Sequence, residues 1–183
     1  MARTTFQGPV RSLAGFYSQG PATVVNLPNG TNTITLDVAT YAGKIIRTND
    51  ATLVITLPTI NADANPTTSG PGEDPNTLNN IGTSYTFFVE TTASALTIRT
   101  DGTTDKFVGS LAVVDTDAGG TTTQNVAYAF APAASNDFIN LNGTTTGGIA
   151  GSMITVTALA AAKYMVSGVL LGTGTVATPF ADS

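Results

Sequence analysis

Few side chains in this sequence can do chemistry, and their types decide more than their spacing. Histidine and cysteine are both absent. The commonest general base and the commonest imidazole metal ligand are therefore missing, and neither a Ser–His–Asp nor a Cys–His nucleophile can be built. Without cysteine there is also no disulfide framework and no thiolate chemistry. Carboxylates remain. The only glutamates are Glu73, in a Pro/Gly-rich stretch, and Glu90, on a strand pattern, so a paired-carboxylate glycosidase would have to draw on aspartates. Asp101 and Asp105 are close in sequence, as are Asp115 and Asp117, but Asp101-Gly102 and Asp117-Ala118-Gly119-Gly120 read as hairpin turns. Asp115-Thr116-Asp117 before Gly119 has the alternate carboxylates of a calcium loop and lacks its downstream glutamate. Gly143-Thr144-Thr145-Thr146-Gly147-Gly148 lacks the lysine of a phosphate-gripping loop. Asn29-Gly30-Thr31 and Asn142-Gly143-Thr144 match glycosylation sequons. With no apolar leader after Met1-Ala2-Arg3-Thr4, they read as Asn-Gly turns. The expectation is a chain that is not an enzyme, with no catalytic residue, cofactor, metal or small-molecule substrate.

The elements that would carry any site are β-strands. Threonine accounts for 34 of 183 residues, and its branched Cβ suits extended backbone while its hydroxyl tolerates a half-wet sheet face. Charged residues are 10% of the chain, against roughly 25% in ordinary soluble domains. No apolar run reaches the ~18 residues of a spanning helix, and the longest, residues 158–171, is broken by Lys163, Ser167 and Gly168. Low charge here means uncharged polar surface, and no membrane is expected. The apolar fraction of 42% in a regular pattern excludes a disordered chain. The net charge of −5 and scattered basic residues argue against nucleic acid.

Residues 1–21 form one unit and residues 22–183 the β-domain. The first stretch groups Arg3 with Phe6, and Arg11 with Phe16 and Tyr17, between Gly8-Pro9 and Gly20-Pro21, which discourage a helix. It reads either as an extended arm packing on another subunit or as the first strand of the main domain. Beyond it come short strands between turn signals. Residues 33–38 put Ile34, Leu36 and Val38 on one face; residues 44–48 and 52–57 follow, separated by an Asn49-Asp50 turn. Residues 85–90 align Tyr85, Phe87 and Val89, and Leu96 and Ile98 continue the pattern. Residues 107–114 carry Gly109, the mark of a bulge. Residues 124–130 point Val126, Tyr128 and Phe130 inward, and residues 138–141, 154–158 and 164–171 complete ten to twelve strands. Ala160, Ala161 and Ala162 raise helix propensity over too short a stretch, so a turn is expected there. The predicted fold is all-β, an antiparallel barrel or sandwich (tulip- or jelly-roll-like) with an extended N-terminal arm. Residues 58–83 are the one long irregular loop, either a surface projection or a variable insertion.

Several passages, in order, resemble a family of tailed-phage virion proteins known as decoration, cement or head-stabilising proteins. They are Gly8-Pro9-Val10-Arg11-Ser12-Leu13-Ala14-Gly15-Phe16, then Ala42-Gly43-Lys44-Ile45-Ile46, then Val54-Ile55-Thr56-Leu57-Pro58. Further along come Asp137-Phe138-Ile139-Asn140-Leu141-Asn142-Gly143-Thr144-Thr145-Thr146-Gly147-Gly148, Val166-Ser167-Gly168-Val169 and Gly172-Thr173-Gly174-Thr175-Val176-Ala177-Thr178-Pro179-Phe180. The resemblance spans nearly the whole chain. It implies a β-barrel or sandwich that forms a homotrimer, sits on the capsid surface of a virion assembled in a bacterial cytoplasm, and clamps neighbouring major capsid subunits. Binding would be by surface complementarity. Within that reading Phe6, Phe16 and Tyr17 are expected as apolar capsid-contact anchors and Arg3 and Arg11 as polar ones, since aromatic and arginine side chains dominate interfaces. The other reading of Phe6 and Phe16 makes them core residues of the first strands. A rival from another class is a phage fibre or knob protein binding a host receptor.

Overall fold

The computed structural model describes residues 23–27, 30, 33–62, 79–102, 104–117 and 126–182. The expected arm, with Arg3, Phe6, Arg11, Phe16 and Tyr17, lies outside the described residues, as does most of the 58–83 loop. Among the described residues there are thirteen strands and one four-residue helix.

Alternation of apolar and polar residues fixes which side of each strand faces the core, and two sheets result. Sheet I contains β1 (Val24–Asn26), β3 (Ile45–Thr48), β5 (Ser84–Val89), β11 (Met153–Ala160), β12 (Lys163–Gly172), β7 (Lys106–Gly109), β8 (Leu111–Asp115) and β9 (Ala127–Phe130). Sheet II contains β13 (Phe180–Ala181), β10 (Phe138–Leu141), β6 (Leu96–Arg99), β4 (Val54–Thr56) and β2 (Thr33–Thr35), in that spatial order. The single helix α1 (Val38–Tyr41) follows β2. The protein is nearly all β, as expected, but its sheets are mixed where antiparallel ones were anticipated.

The reason is the path of the chain. From β1 to β7 it alternates strictly between the sheets, so β1, β3 and β5 lie parallel in sheet I and β2, β4 and β6 parallel in sheet II. Val24 pairs with Ile45 and Thr33 with Val54, in both cases 21 residues further along. The next turn of the winding is longer because residues 58–83 are inserted in it. Parallel pairing in register stacks like on like: Ile34, Ile55 and Ile98 form one apolar ladder, and Val25, Ile46 and Phe87 another. The second half of the chain closes the sheets with antiparallel strands, β10 against β6 and β11 against β5 and β12.

Several local expectations change for physical reasons. Residues 36–38 leave β2 because Asp37 caps a helical turn, its Oδ1 accepting the Thr40 N–H at 2.7 Å. Asn49-Asp50 does form a turn, with Asp50 Oδ1 accepting the Thr52 N–H at 2.9 Å, but it passes from sheet I to sheet II. Asp101-Gly102 likewise crosses from sheet II to sheet I and is no hairpin. Asn142-Gly143 also lies on a crossing, from β10 to β11, where Asn142 Oδ1 accepts the N–H groups of Thr144 and Thr146. β8 and β9 do pair as a hairpin, whose tip lies outside the described residues. The three alanines give way to the turn between β11 and β12, with Ala162 at φ 61. Gly109 inserts no residue. Lys106–Lys163, Gly109–Val166 and Ala112–Val169 keep one register, so β7 and β8 are a single strand kinked at its glycine.

The core between the sheets holds Tyr85, Phe87 and Val89 from β5, Ile154 and Val156 from β11, and Tyr164, Val166 and Leu170 from β12. Ile55, Leu96, Ile98, Ile139 and Leu141 face them from sheet II. Lys106 and Asp137 bridge the two sheets' ends at 2.9 Å, with the carboxylate fully buried.

Candidate functional site

Of the carboxylates singled out by the sequence, Asp105, Asp115 and Glu90 make contacts within the fold, and Glu73 lies outside the described residues. Asp105 is buried, and its Oδ2 accepts the Ile60 N–H at 2.7 Å at the foot of the 58–83 loop. Burial pushes its carboxyl above the ordinary range, opposed by that hydrogen bond, with Asp101 raising it a little further. Asp115 Oδ1 accepts the Asp117 N–H at 2.9 Å, while its buried Oδ2 has no hydrogen-bond partner among the described residues. Glu90 pairs with Arg47. No group of three potential metal ligands converges among the described residues. No helix among them is long and apolar enough to cross a membrane.

The long loop has a built stem. Asn80 is buried, and its side chain accepts the Asn61 N–H at 2.9 Å and donates to the Thr59 carbonyl at 2.9 Å. The buried Tyr164 hydroxyl donates to the Pro58 carbonyl at 2.6 Å, and burial raises the pKa of that hydroxyl. These contacts join residues 58–61 to residue 80, so the insertion leaves and re-enters the body at one point.

What the structure offers for recognition is surface. Val126, Tyr128 and Phe130 do share the core-side face of sheet I, since Tyr128 lies opposite buried Val113 and Phe130 opposite buried Leu111. Their burial differs, however: Phe130 is half-buried and packs against the core, Val126 is half-buried, and Tyr128 is 53% exposed. Tyr128, Val126 and Phe130, with Gly174, Thr175 and Val176, line an apolar groove of about 270 Å³. Alternation reveals which side a residue takes; it does not reveal whether the opposite sheet reaches far enough to cover it.

The larger surface is the outer face of sheet I. Register aligns Ile45, Thr86, Thr155 and Ser167 in one row across the strands, and Phe88, Met153, Val169, Ala112 and Ala129 in the next. Neither span carries a charge; Arg47 stands beyond Phe88 at the margin of the second. Of the eight exposed large hydrophobic residues among those described, register puts five (Val24, Ile45, Met153, Met165 and Val169) on this face, and a sixth, Leu159, stands at the β11 irregularity beside it. The outer face of sheet II is polar instead, with Thr97 donating to Asn140 Oδ1 and Arg99 Nε to Thr56 Oγ1, each at 2.9 Å. Sequence reading passed over the outer positions of β11 and β12, although their signal was present. Tyr164, Val166 and Leu170 alternate with Met165, Val169 and Leu171, an apolar pattern on both faces.

Set against family models, curated proteins and solved structures, the chain matches none.

Proposed function

We propose that the chain is a structural virion protein that binds the outer surface of a phage capsid as a homotrimer and clamps neighbouring major capsid subunits. The observation that carries this reading is the ordered resemblance, from Gly8-Pro9-Val10-Arg11 through Asn142-Gly143 to Pro179-Phe180, over nearly the whole chain. The physical side is compatible with it. A cement protein needs a stiff body with broad contact surfaces, and a two-sheet body with a dense aromatic and aliphatic core supplies one. Trimerisation then combines modest individual contacts through effective concentration. Residues 2–20, with Arg3, Phe6, Arg11, Phe16 and Tyr17, are the segment assigned to capsid contact.

Phage heads lacking the protein, mixed with purified full-length chain and pelleted, provide the test. The reading expects saturable binding at hundreds of copies per head and raised resistance of heads to heat. A chain lacking residues 2–20 should fold and leave the heads bare. Failure of the full-length chain to pellet with heads, or a truncated chain that still decorates them, overturns the assignment. A handful of copies per virion points to a fibre instead.

A further inference from the structure

Sheet I has one face in the core and another that nothing among the described residues covers. We propose that this outer face is where copies of the chain associate with one another, through Val24, Ile45, Met153, Leu159, Met165 and Val169. It names the surface for the self-association included in the reading above, yet it does not depend on capsid binding and is tested without heads.

Contiguity is the first support. Met153 and Val169 are direct cross-strand partners on β11 and β12, Ile45 lies two strands away, and Val24 is paired to Ile45. Their exposures run from 37% to 48%, so these are open side chains; the unbroken apolar run among them is the row Phe88–Met153–Val169–Ala112–Ala129, with Ser167 standing between Val169 and Met165 on β12. An apolar row of this length, open on one face of a sheet, marks an interaction surface. Methionine at two central positions lets such a surface adapt its shape to a mate.

Charge selects the mate. The chain carries a formal −5, so two copies repel in general. On this face the repulsion has no local source: the central rows are neutral, and at the margins Arg47 is already paired with Glu90 while Lys163 sits beside the β11–β12 turn. A strongly charged partner of either sign finds little to complement, whereas a second neutral, apolar face of the same kind does.

Size agrees. Seven strand positions at ~4.8 Å and about six residues at ~3.3 Å give a face of roughly 650 Å², close to the ~800 Å² each partner contributes to a standard stable interface. The sequence points the same way, because strands apolar on both sides belong to sheets covered on both sides.

Sedimentation of the full-length chain over a range of concentrations decides the matter. The wild type should self-associate, and Val169→Glu should weaken association by about a hundredfold or more, the cost of burying an unpaired carboxylate at the contact. Its thermal melt as a dilute monomer should be unchanged. Thr35→Glu, on the outer face of sheet II, should associate like wild type. If Val169→Glu does not fold, Met165→Lys makes the same test. Because the chain has no cysteine, Val169→Cys also introduces a single thiol whose labelling should slow as protein concentration rises. A wild type monomeric at every concentration overturns the proposal, as does Val169→Glu associating normally. Labelling that is slow at all concentrations assigns the cover to the chain's own residues and overturns it too. A Val169→Glu protein that still self-associates but no longer binds heads gives the face to the capsid, and the proposal falls in that case as well.

Discussion

On the outer face of sheet II, Thr97 lies opposite Asn140 and Arg99 opposite Thr56, and each pair is closed by a hydrogen bond. At comparable positions on the outer face of sheet I, Met153 lies opposite Val169 and Ile45 opposite Thr86, with Thr86 and Thr155 within hydrogen-bond reach of each other and Arg47 paired with Glu90 at the margin. Both faces belong to strands of the same threonine-rich character, and both back onto one core. The face of sheet II is completed by its own cross-strand pairs, so its polar groups contribute to the fold of the single chain. The face of sheet I carries fewer such pairs and an unbroken apolar row, Phe88, Met153, Val169, Ala112 and Ala129. The sheets differ in their backbones as well. Sheet I brings strands so close that Gly109 and Gly168 sit against neighbouring main chain, and no strand of sheet II contains a glycine.

The sharpest way to break that contrast is to fill the closest approach. A Cβ at residue 109 would fall 2.3 Å from the Val166 carbonyl oxygen, and its φ of +105 is one that L side chains rarely adopt. Gly109→Ala therefore has to push β7 and β8 off β12, at a cost of roughly 3 kcal/mol or more. That lowers the melting temperature by roughly 6–12 °C for a chain of this size. A melt within a degree or two of wild type would mean that the strand yields at its glycine, and sheet I would not be the rigid platform that association through its outer face requires.

A second pair of changes compares the outer faces directly. Asn140→Ala removes the acceptor of Thr97 on sheet II and should destabilise the monomer by about 1 kcal/mol. Val169→Ala on sheet I trims a side chain that is 48% exposed and should move monomer stability by no more than about 0.5 kcal/mol. Urea unfolding at low protein concentration measures both. Equal losses would show that the sheet I face already supports the single chain.

Much of this was legible in the sequence because strand alternation is a local property. Tyr85, Phe87 and Val89 are read inward from their spacing alone and are buried. Connectivity was less legible, because an Asp-Gly or Asn-Asp signal announces a turn without saying whether the next strand joins the same sheet. The winding does leave a trace: Ile34-Thr35-Leu36 recurs 21 residues later as Ile55-Thr56-Leu57, and Ile98 continues the stack. The insertion at residues 58–83 interrupts that period before it can repeat a third time. The groove at Tyr128 was illegible for another reason, since alternation does not report what covers a face. The open face of sheet I was half legible. The apolar character of both sides of β12 is in the sequence, while the absence of a cover among the described residues is a property of the assembled sheets. The capsid-contact residues proposed from sequence lie outside the described residues, and the outer face of sheet I proposed for self-association is a different surface.

The smallest effects are expected where the chain crosses between the sheets, and they have opposite signs. Asp50, at the end where sheet I hands over to sheet II, is held below the ordinary carboxyl range by the Thr52 and Gly30 N–H groups. Its contribution is present above the unfolded-state pKa and is lost as pH falls through the lower, folded value. Asp105, at the opposite end, is raised by burial, so the folded state holds its proton more tightly than the unfolded chain does. Its contribution is complete below the unfolded-state pKa and is lost as pH rises through the higher, folded value. Urea unfolding from about pH 3 to 7 should therefore show Asp50→Asn losing ground to wild type as pH rises through the carboxyl range. Asp105→Asn, which keeps an acceptor for the Ile60 N–H, should gain ground over the same interval. The gain requires that Asp105 stay desolvated at the foot of the loop, where the sheets meet. A difference between Asp105→Asn and wild type that is flat with pH would mean water reaches that carboxylate, and the junction between the sheets would be looser at this end than the Asn80 and Tyr164 contacts imply.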